Sequence, residues 1–387
     1  MKYVGRFIVS AAVLASVGGA AFYHYSNINS TNNTHKSSIK KQPTAMSAPA
    51  KADVQAAYKR WQSHYLVTDL SGKTYVNSSD DDSVKIALSE SQGYGMYITV
   101  LAAQQKLDTE SEPQFDRLFK YYMAHRGNHS QLMSWQQKYT PYGKMTAHDE
   151  NNATDGDLYI AYSLIQASKL YSDKQNEYSK QARAILSDIL EYNYNDSKDI
   201  LTLGNWVKPD SDTYNVFRSS DVNPHFFAVF SDFTRDNRWL DLSESMTSKL
   251  KTLSTTTKSG LVSDMIDTTY TPVAKKVISS DDLLYGYNAM RLPITLANSK
   301  NKNANIVLEH IMSFFNKQDS FKGTYDMNGN VVGDYDSALQ ANLIHYAASK
   351  DGSESELVSK TKPYMNLTPT AFSYYTDTLT LISELQN

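Results

Sequence analysis

From Lys51 onward, apolar residues recur at three- and four-residue steps instead of alternating. In Ala153–Tyr171, Leu158, Ala161, Ile165 and Ser168 fall on one helical face. Ala182–Leu190 and Ala338–Ala348 carry similar stripes. Turn-rich stretches lie between the stripes, KPDSDT at 208–213 and DMNGN at 326–330. Long alternating runs are scarce, and Tyr270–Ile278 is the best short strand candidate. About a dozen helices of ordinary length fit the span. No fixed-period repeat is visible. The pattern predicts an all-α body, a barrel or toroid of helix hairpins whose loops gather at the helix ends and form a groove. An α-solenoid is the alternative.

The head of the chain reads differently. Lys2 and Arg6 precede an apolar run from Phe7 to Tyr23, seventeen residues long. That length is at the lower edge for a membrane span and the upper edge for a signal-peptide core. The basic flank predicts a cytoplasmic segment at 1–6, and 7–23 reads as a membrane anchor or a cleaved signal. The Ser-, Asn-, Thr- and Lys-rich stretch 24–50 reads as a disordered stalk. Residues 51–387 then form one domain. The expected location is a single-pass membrane protein with an extracellular body, or a secreted protein if 7–23 is removed.

Composition narrows the chemistry. The 387 residues include no Cys, which excludes disulfide scaffolds, Cys-ligated zinc and cysteine nucleophiles. Lys+Arg at 38 against Asp+Glu at 41 excludes a general nucleic-acid binder. Tyr outnumbers Phe by 28 to 13, and a ring with a polar tip suits a wet cleft as well as a core edge. No metal loop is recognisable, no cofactor is expected, and the chain is taken as a monomer.

Three segments concentrate carboxylates. In ALSESQGYGMYITVLAA, 87–103, Glu90 precedes Gly93 and Gly95, which read as a turn into an apolar helix. A carboxylate there is also ordinary helix-start chemistry. In NNATDGDLYIAYSLIQASKLY, 151–171, Thr154 and Asp157 read as a capping pair, which leaves Asp155 surplus. In SSDDLLYGYNAMRLPITLA, 279–297, Asn288 and Arg291 share one helical face behind Asp281 and Asp282. Upstream, GLVSDMID places Asp264 and Asp267 in a loop.

Taken in order, these segments resemble glycoside hydrolase family 8, the inverting endoglucanases, xylanases, chitosanases and lichenases. The family's SEGxGYGM appears as SESQGYGM at 89–96, its A-[ST]-D-[AG]-D as ATDGD at 153–157, and its YDAxRxP as YNAMRLP at 287–293. The resemblance spans roughly residues 55–375. It implies an (α/α)6 barrel with a substrate groove across one end. It also implies Glu90 as general acid, Asp155 as the group holding the distorted sugar, Tyr94 on the cleft wall and Arg291 orienting the acidic groups. Trp135 and Trp206 lie in segments resembling sugar platforms.

Two departures stand out. Many members use the Asp of YDAxR as base, and here that place is Asn288. A subgroup with Asn recruits a Glu from a preceding loop, yet 265–287 contains none. Asp264, in a segment like GLxPD, is the first choice of base, with Asp282, Asp267 and Asp281 behind it. The second departure is His225-Phe226 where relatives tend to have Ser-Tyr; His225 is either a substrate contact or a wall residue. The resulting expectation is an inverting, endo-acting hydrolase of a β-1,4-linked polysaccharide. A bacterial exopolysaccharide is the expected substrate, trimmed at the membrane beside its synthesis machinery. A catalytically impaired glycan-binding factor is the alternative.

Overall fold

The computed structural model describes residues 51–127, 129–350 and 356–386. The expected segments 1–6, 7–23 and 24–50 lie outside the described residues. The membrane expectation is corrected: no helix among the described residues is long and apolar enough to cross a membrane. The signal-anchor and single-pass reading is therefore withdrawn, together with the synthesis machinery it implied as partner.

Twelve α-helices follow one another among the described residues: α1 (Lys51–Tyr65), α2 (Ser89–Gln104), α3 (Ser111–Ala124), α4 (Thr154–Leu170), α5 (Gln175–Tyr192), α6 (Pro224–Thr234), α7 (Arg238–Thr256), α8 (Leu292–Leu296), α9 (Lys302–Asn316), α10 (Ala338–Lys350), α11 (Glu356–Thr361) and α12 (Tyr374–Leu385). The even-numbered helices form a closed inner ring. Each packs on the next, from α2 through α4, α6, α8 and α10 to α12, and α12 returns to α2. The odd-numbered helices lie outside: α1 on α12, α3 on α2, α5 on α4, α7 on α6, α9 on α7 and α8, α11 on α10. This is the expected (α/α)6 barrel.

The two rings differ in sequence for a physical reason. An inner helix has protein on every side, so Ser91–Val100 of α2 and Thr154–Ile165 of α4 are buried without a break. An outer helix buries one stripe, as α5 does with Tyr178, Ala182, Ile185, Leu186 and Ile189. The continuous inner helices can approach closely only where side chains vanish. A Cβ on Gly93 would stand 2.7 Å from the Tyr159 Cβ and 2.9 Å from the Gly156 carbonyl oxygen. Gly93 and Gly95 are thus interior helix positions, and the turn expected there does not exist.

Short antiparallel strands decorate the barrel. Lys85–Leu88 runs directly into α2 and pairs with Gln136–Tyr139, which pairs with Met145–His148. Val216–Arg218 pairs with Met265–Asp267, and Ile266–Asp267 pair in turn with Val273–Ala274. Within the Tyr270–Ile278 stretch, only Val273 and Ala274 are strand. The turns expected at 208–213 and 326–330 are present, the second closed by Asp326 accepting from the Asn328 and Asn330 amides.

Candidate active site

The inner helices bring their N-terminal ends to one end of the barrel. Glu90 lies in the first turn of α2, Asp155 in the first turn of α4, Arg291 immediately before α8, and Tyr375 in the first turn of α12. Unsatisfied N–H groups and aligned peptide dipoles make such ends favourable for carboxylates. The Arg291 guanidinium ties them together. Its Nη1 donates to Glu90 Oε2 at 2.6 Å and to the Tyr94 hydroxyl at 2.7 Å. Its Nη2 donates to Ser220 Oγ at 2.9 Å and Asn288 Oδ1 at 2.6 Å. The Tyr375 ring lies 6.0 Å from its Cζ.

Glu90 and Asp155 are driven apart in acidity. Burial pushes the Glu90 carboxyl up to about 7, and the neighbouring Asp155 charge adds to it against the pull of Arg291. Glu90 keeps 17% of its side chain exposed, so solvent reaches it. Burial also opposes the Asp155 charge, but Arg218 at 2.9 Å and Arg291 at 3.9 Å outweigh it and hold this carboxyl below its usual range. One protonated and one ionised carboxyl side by side can supply a proton and stabilise positive charge at the same locus.

Asp264 stands across Asn288 from this pair. Its Oδ1 accepts from the amides of Gly286, Asn288 and Ala289 at 3.0, 3.1 and 2.7 Å. Its Oδ2 accepts from the Asn288 side-chain amide at 3.2 Å. A Cβ on Gly286 would stand 2.9 Å from that Oδ2, so the residue there must be small. Burial pushes Asp264 up to about 6 against the pull of these hydrogen bonds. A continuous path therefore runs Asp264–Asn288–Arg291–Glu90.

The other expected bases are engaged elsewhere. Asp282 Oδ2 accepts from the amides of Val277, Ile278 and Ser279 at 2.9, 2.6 and 3.0 Å, a loop-closing role. Asp267 accepts from Thr269 and pairs with Lys275 at 3.2 Å. Asp281 lies in the short 3-10 turn Ser280–Leu283, where its amide donates to Ser279 Oγ. The capping pair also resolves differently. Thr154 is the first helical residue, and its hydroxyl donates to the Thr202 carbonyl at 2.6 Å. Asp157 accepts from the Met133 amide and the Asn152 side chain, both at 2.8 Å.

Trp135 is buried between the two helix starts: its carbonyl accepts from Ser89 and its amide donates to Asn151. Trp206 is half-buried against Leu203, Val207, Val216 and Met265. His225 Nε2 lies 3.0 Å from the Tyr162 hydroxyl, and burial lowers its pKa, which favours the neutral ring. Its ring packs beside those of Tyr162 and Phe226. Much of the tyrosine surplus is core, with Tyr58, Tyr65, Tyr75, Tyr121, Tyr122 and Tyr178 fully buried. Among the described residues, no group of three or more His, Asp or Glu is placed to hold a metal ion.

Sequence reading missed Arg218, Ser220, Asp221 and Tyr375. The nearest signal was RSSD at 218–221, an Arg and an Asp three residues apart just before Asn223-Pro224. Nothing in that spacing alone separates a buried pair from a surface one.

Comparison with known proteins agrees with this geometry. Residues 38–387 match the model for glycosyl hydrolases family 8. A beta-glucanase from Niallia circulans is 31% identical over 300 residues, 73% of this chain and 71% of the relative. An endoglucanase from Bacillus sp. (strain KSM-330) is 26% identical over 355 residues, 86% of this chain and 74% of the relative. The solved beta-1,3-1,4-glucanase of Paenibacillus sp. X4 superposes with a TM-score of 0.78 at 25% identity, covering 89% of this chain and 95% of that one. With a closed double ring of helices and carboxylates gathered at its inner helix starts, the chain belongs to glycosyl hydrolase family 8 and is a glycoside hydrolase.

Proposed function

We propose that the enzyme cleaves internal β-1,4 bonds of a β-glucan with inversion, Glu90 acting as general acid, Asp264 as general base and Asp155 as the anchor of the distorted sugar. The observation that carries this reading is the Arg291 bridge. It pairs directly with Glu90 and reaches Asp264 only through Asn288. A retaining pair stands about 5–5.5 Å apart, whereas an inverting pair stands about 6.5–9.5 Å apart to admit a water. Two intervening side chains support the wider spacing. Asn288 itself is a neutral amide and cannot take the proton, but it holds the carboxylate that can. Among the described residues Asp264 Oδ2 accepts from the Asn288 side-chain amide alone, and so retains acceptor capacity toward water.

The alternative, a glycan-binding groove without a base, is disfavoured by the Asp264 carboxylate lying against Asn288. The activities of the relatives support a β-glucan, and the exopolysaccharide preference loses its main support with the membrane tether. The test is incubation with mixed-linkage β-glucan, carboxymethylcellulose, chitosan and bacterial cellulose, with product anomers followed by NMR. An initial α-anomer and a rapid fall in viscosity are expected. An initial β-anomer would overturn inversion, and cleavage of chitosan alone would overturn the substrate.

A further inference from the structure

Asp221 ends the 3-10 turn Ser219–Asp221 and is buried. Neither of its carboxyl oxygens has a hydrogen-bond partner among the described residues. Its nearest cation is Arg218, whose Nη1 stands 3.6 Å from Asp221 Oδ1 and 2.9 Å from Asp155 Oδ2. Arg291 Nη1 lies 3.9 Å from the same Asp155 oxygen and 2.6 Å from Glu90. The groups facing Asp221 are therefore Arg218 on its own turn, Asp155 from α4, Arg291 before α8 and Glu90 from α2. Tyr159 of α4 also senses its charge.

Three carboxylates here face two guanidinium groups. Full ionisation leaves one uncompensated negative charge among buried side chains, and a buried unpaired charge is costly. One proton removes that cost. Asp155 is the least favourable place for it, because both arginines face its charge. The proton is left to Glu90 and Asp221.

We propose that Asp221 is a positioning residue for the acid: by sharing Arg218 with Asp155, it leaves the Asp155 charge partly unanswered and so keeps the proton on Glu90. Burial pushes both Glu90 and Asp221 up to about 7, as a contest for one proton requires. Without the Asp221 charge, two cations balance two carboxylates and Glu90 ionises more readily. The inference rests on Glu90 being the acid.

The test is the pH–rate profile of Asp221→Asn. Its basic limb is expected to move to lower pH by about one unit. An unmoved limb in a variant that melts like the parent overturns the proposal. Should Asp221→Asn fail to fold, carboxyl NMR of the unaltered protein decides. The Glu90 resonance, identified by its loss in Glu90→Gln, is expected to titrate in two steps as Asp221 titrates beside it. A single-step curve overturns the proposal. Turnover by Glu90→Gln would sink the acid assignment itself, whereas an inactive Glu90→Gln with an unmoved Asp221→Asn limb sinks only the role of Asp221.

Discussion

Gly93 and Gly156 meet where α2 crosses α4, with the Gly156 carbonyl oxygen 2.9 Å from where a Gly93 Cβ would be. Glu90 lies three residues before one glycine and Asp155 directly before the other. The crossing is what seats the two carboxyls together. A Cβ on Gly156 would stand 2.5 Å from the backbone carbon of Ser89. Backbone cannot swing aside as a side chain can. Gly156→Ala is expected to cost about 3 kcal/mol and to lower kcat more than Tm alone would explain. Thermal melting beside kinetics checks this, and an active, fully stable variant contradicts it.

Glu90→Gln removes the proton donor while keeping shape and an oxygen for Arg291. Turnover is expected to fall by about 10²–10⁴-fold with the fold retained. The parent's rate should decline as pH rises through about 7, because the acid must be protonated. Stability carries the same sign. A folded-state pKa raised above the unfolded value contributes stability that is full below about 4.3 and lost as pH rises toward 7. Relative to the parent, Glu90→Gln should therefore gain stability between pH 5 and pH 8, read by Tm at both values.

Asp264→Asn and Asp282→Asn separate the base from a loop closure. The first is expected to reduce kcat by about 10³-fold. The second keeps one acceptor oxygen for the three amides that Asp282 holds, so it should lower stability by no more than about 1 kcal/mol and leave kcat close to the parent's. The reverse pattern in single-turnover assays would reassign the base.

Asn288→Asp places a second carboxyl 3.2 Å or so from Asp264 Oδ2, where the amide nitrogen now donates. Two carboxylates in one site cannot both ionise freely, so one of them is raised. The acidic limb of the pH–rate profile is expected to move up by about one unit. An unchanged limb would place Asp264 outside the rate-determining chemistry.

What could be read from the residues alone follows from how locally each feature is encoded. The three- and four-residue stripes of α4 and α10 are local, and they were legible. Ring closure of α12 on α2 is not local: the stripes left a solenoid beside the toroid, and only the family resemblance chose between them. Glu90, Asp155 and Arg291 stood out because each sits in a compact motif. Asp221 did not, because its character comes from Arg218 and from burial, neither of which a short string of residues displays. The glycines misled for a related reason: Gly93 makes room for α4 and Gly95 for the Val76 side chain, and turn chemistry was the nearest local explanation. Strands of two to six residues are too short to establish an alternation.

Ring closure also has a consequence for when the enzyme can act during its own synthesis. Tyr375 on α12 reaches the site through its hydroxyl, which donates to the Tyr287 carbonyl at 2.5 Å, next to Asn288. The same helix packs on α2, which carries Glu90. A growing chain that stops short of residue 374 holds the motifs for the acid, the anchor and the arginine, yet leaves the ring open beside the acid. Catalytic competence then waits until α12 is made, and a chain truncated before it is a glycan cutter with its blade unset.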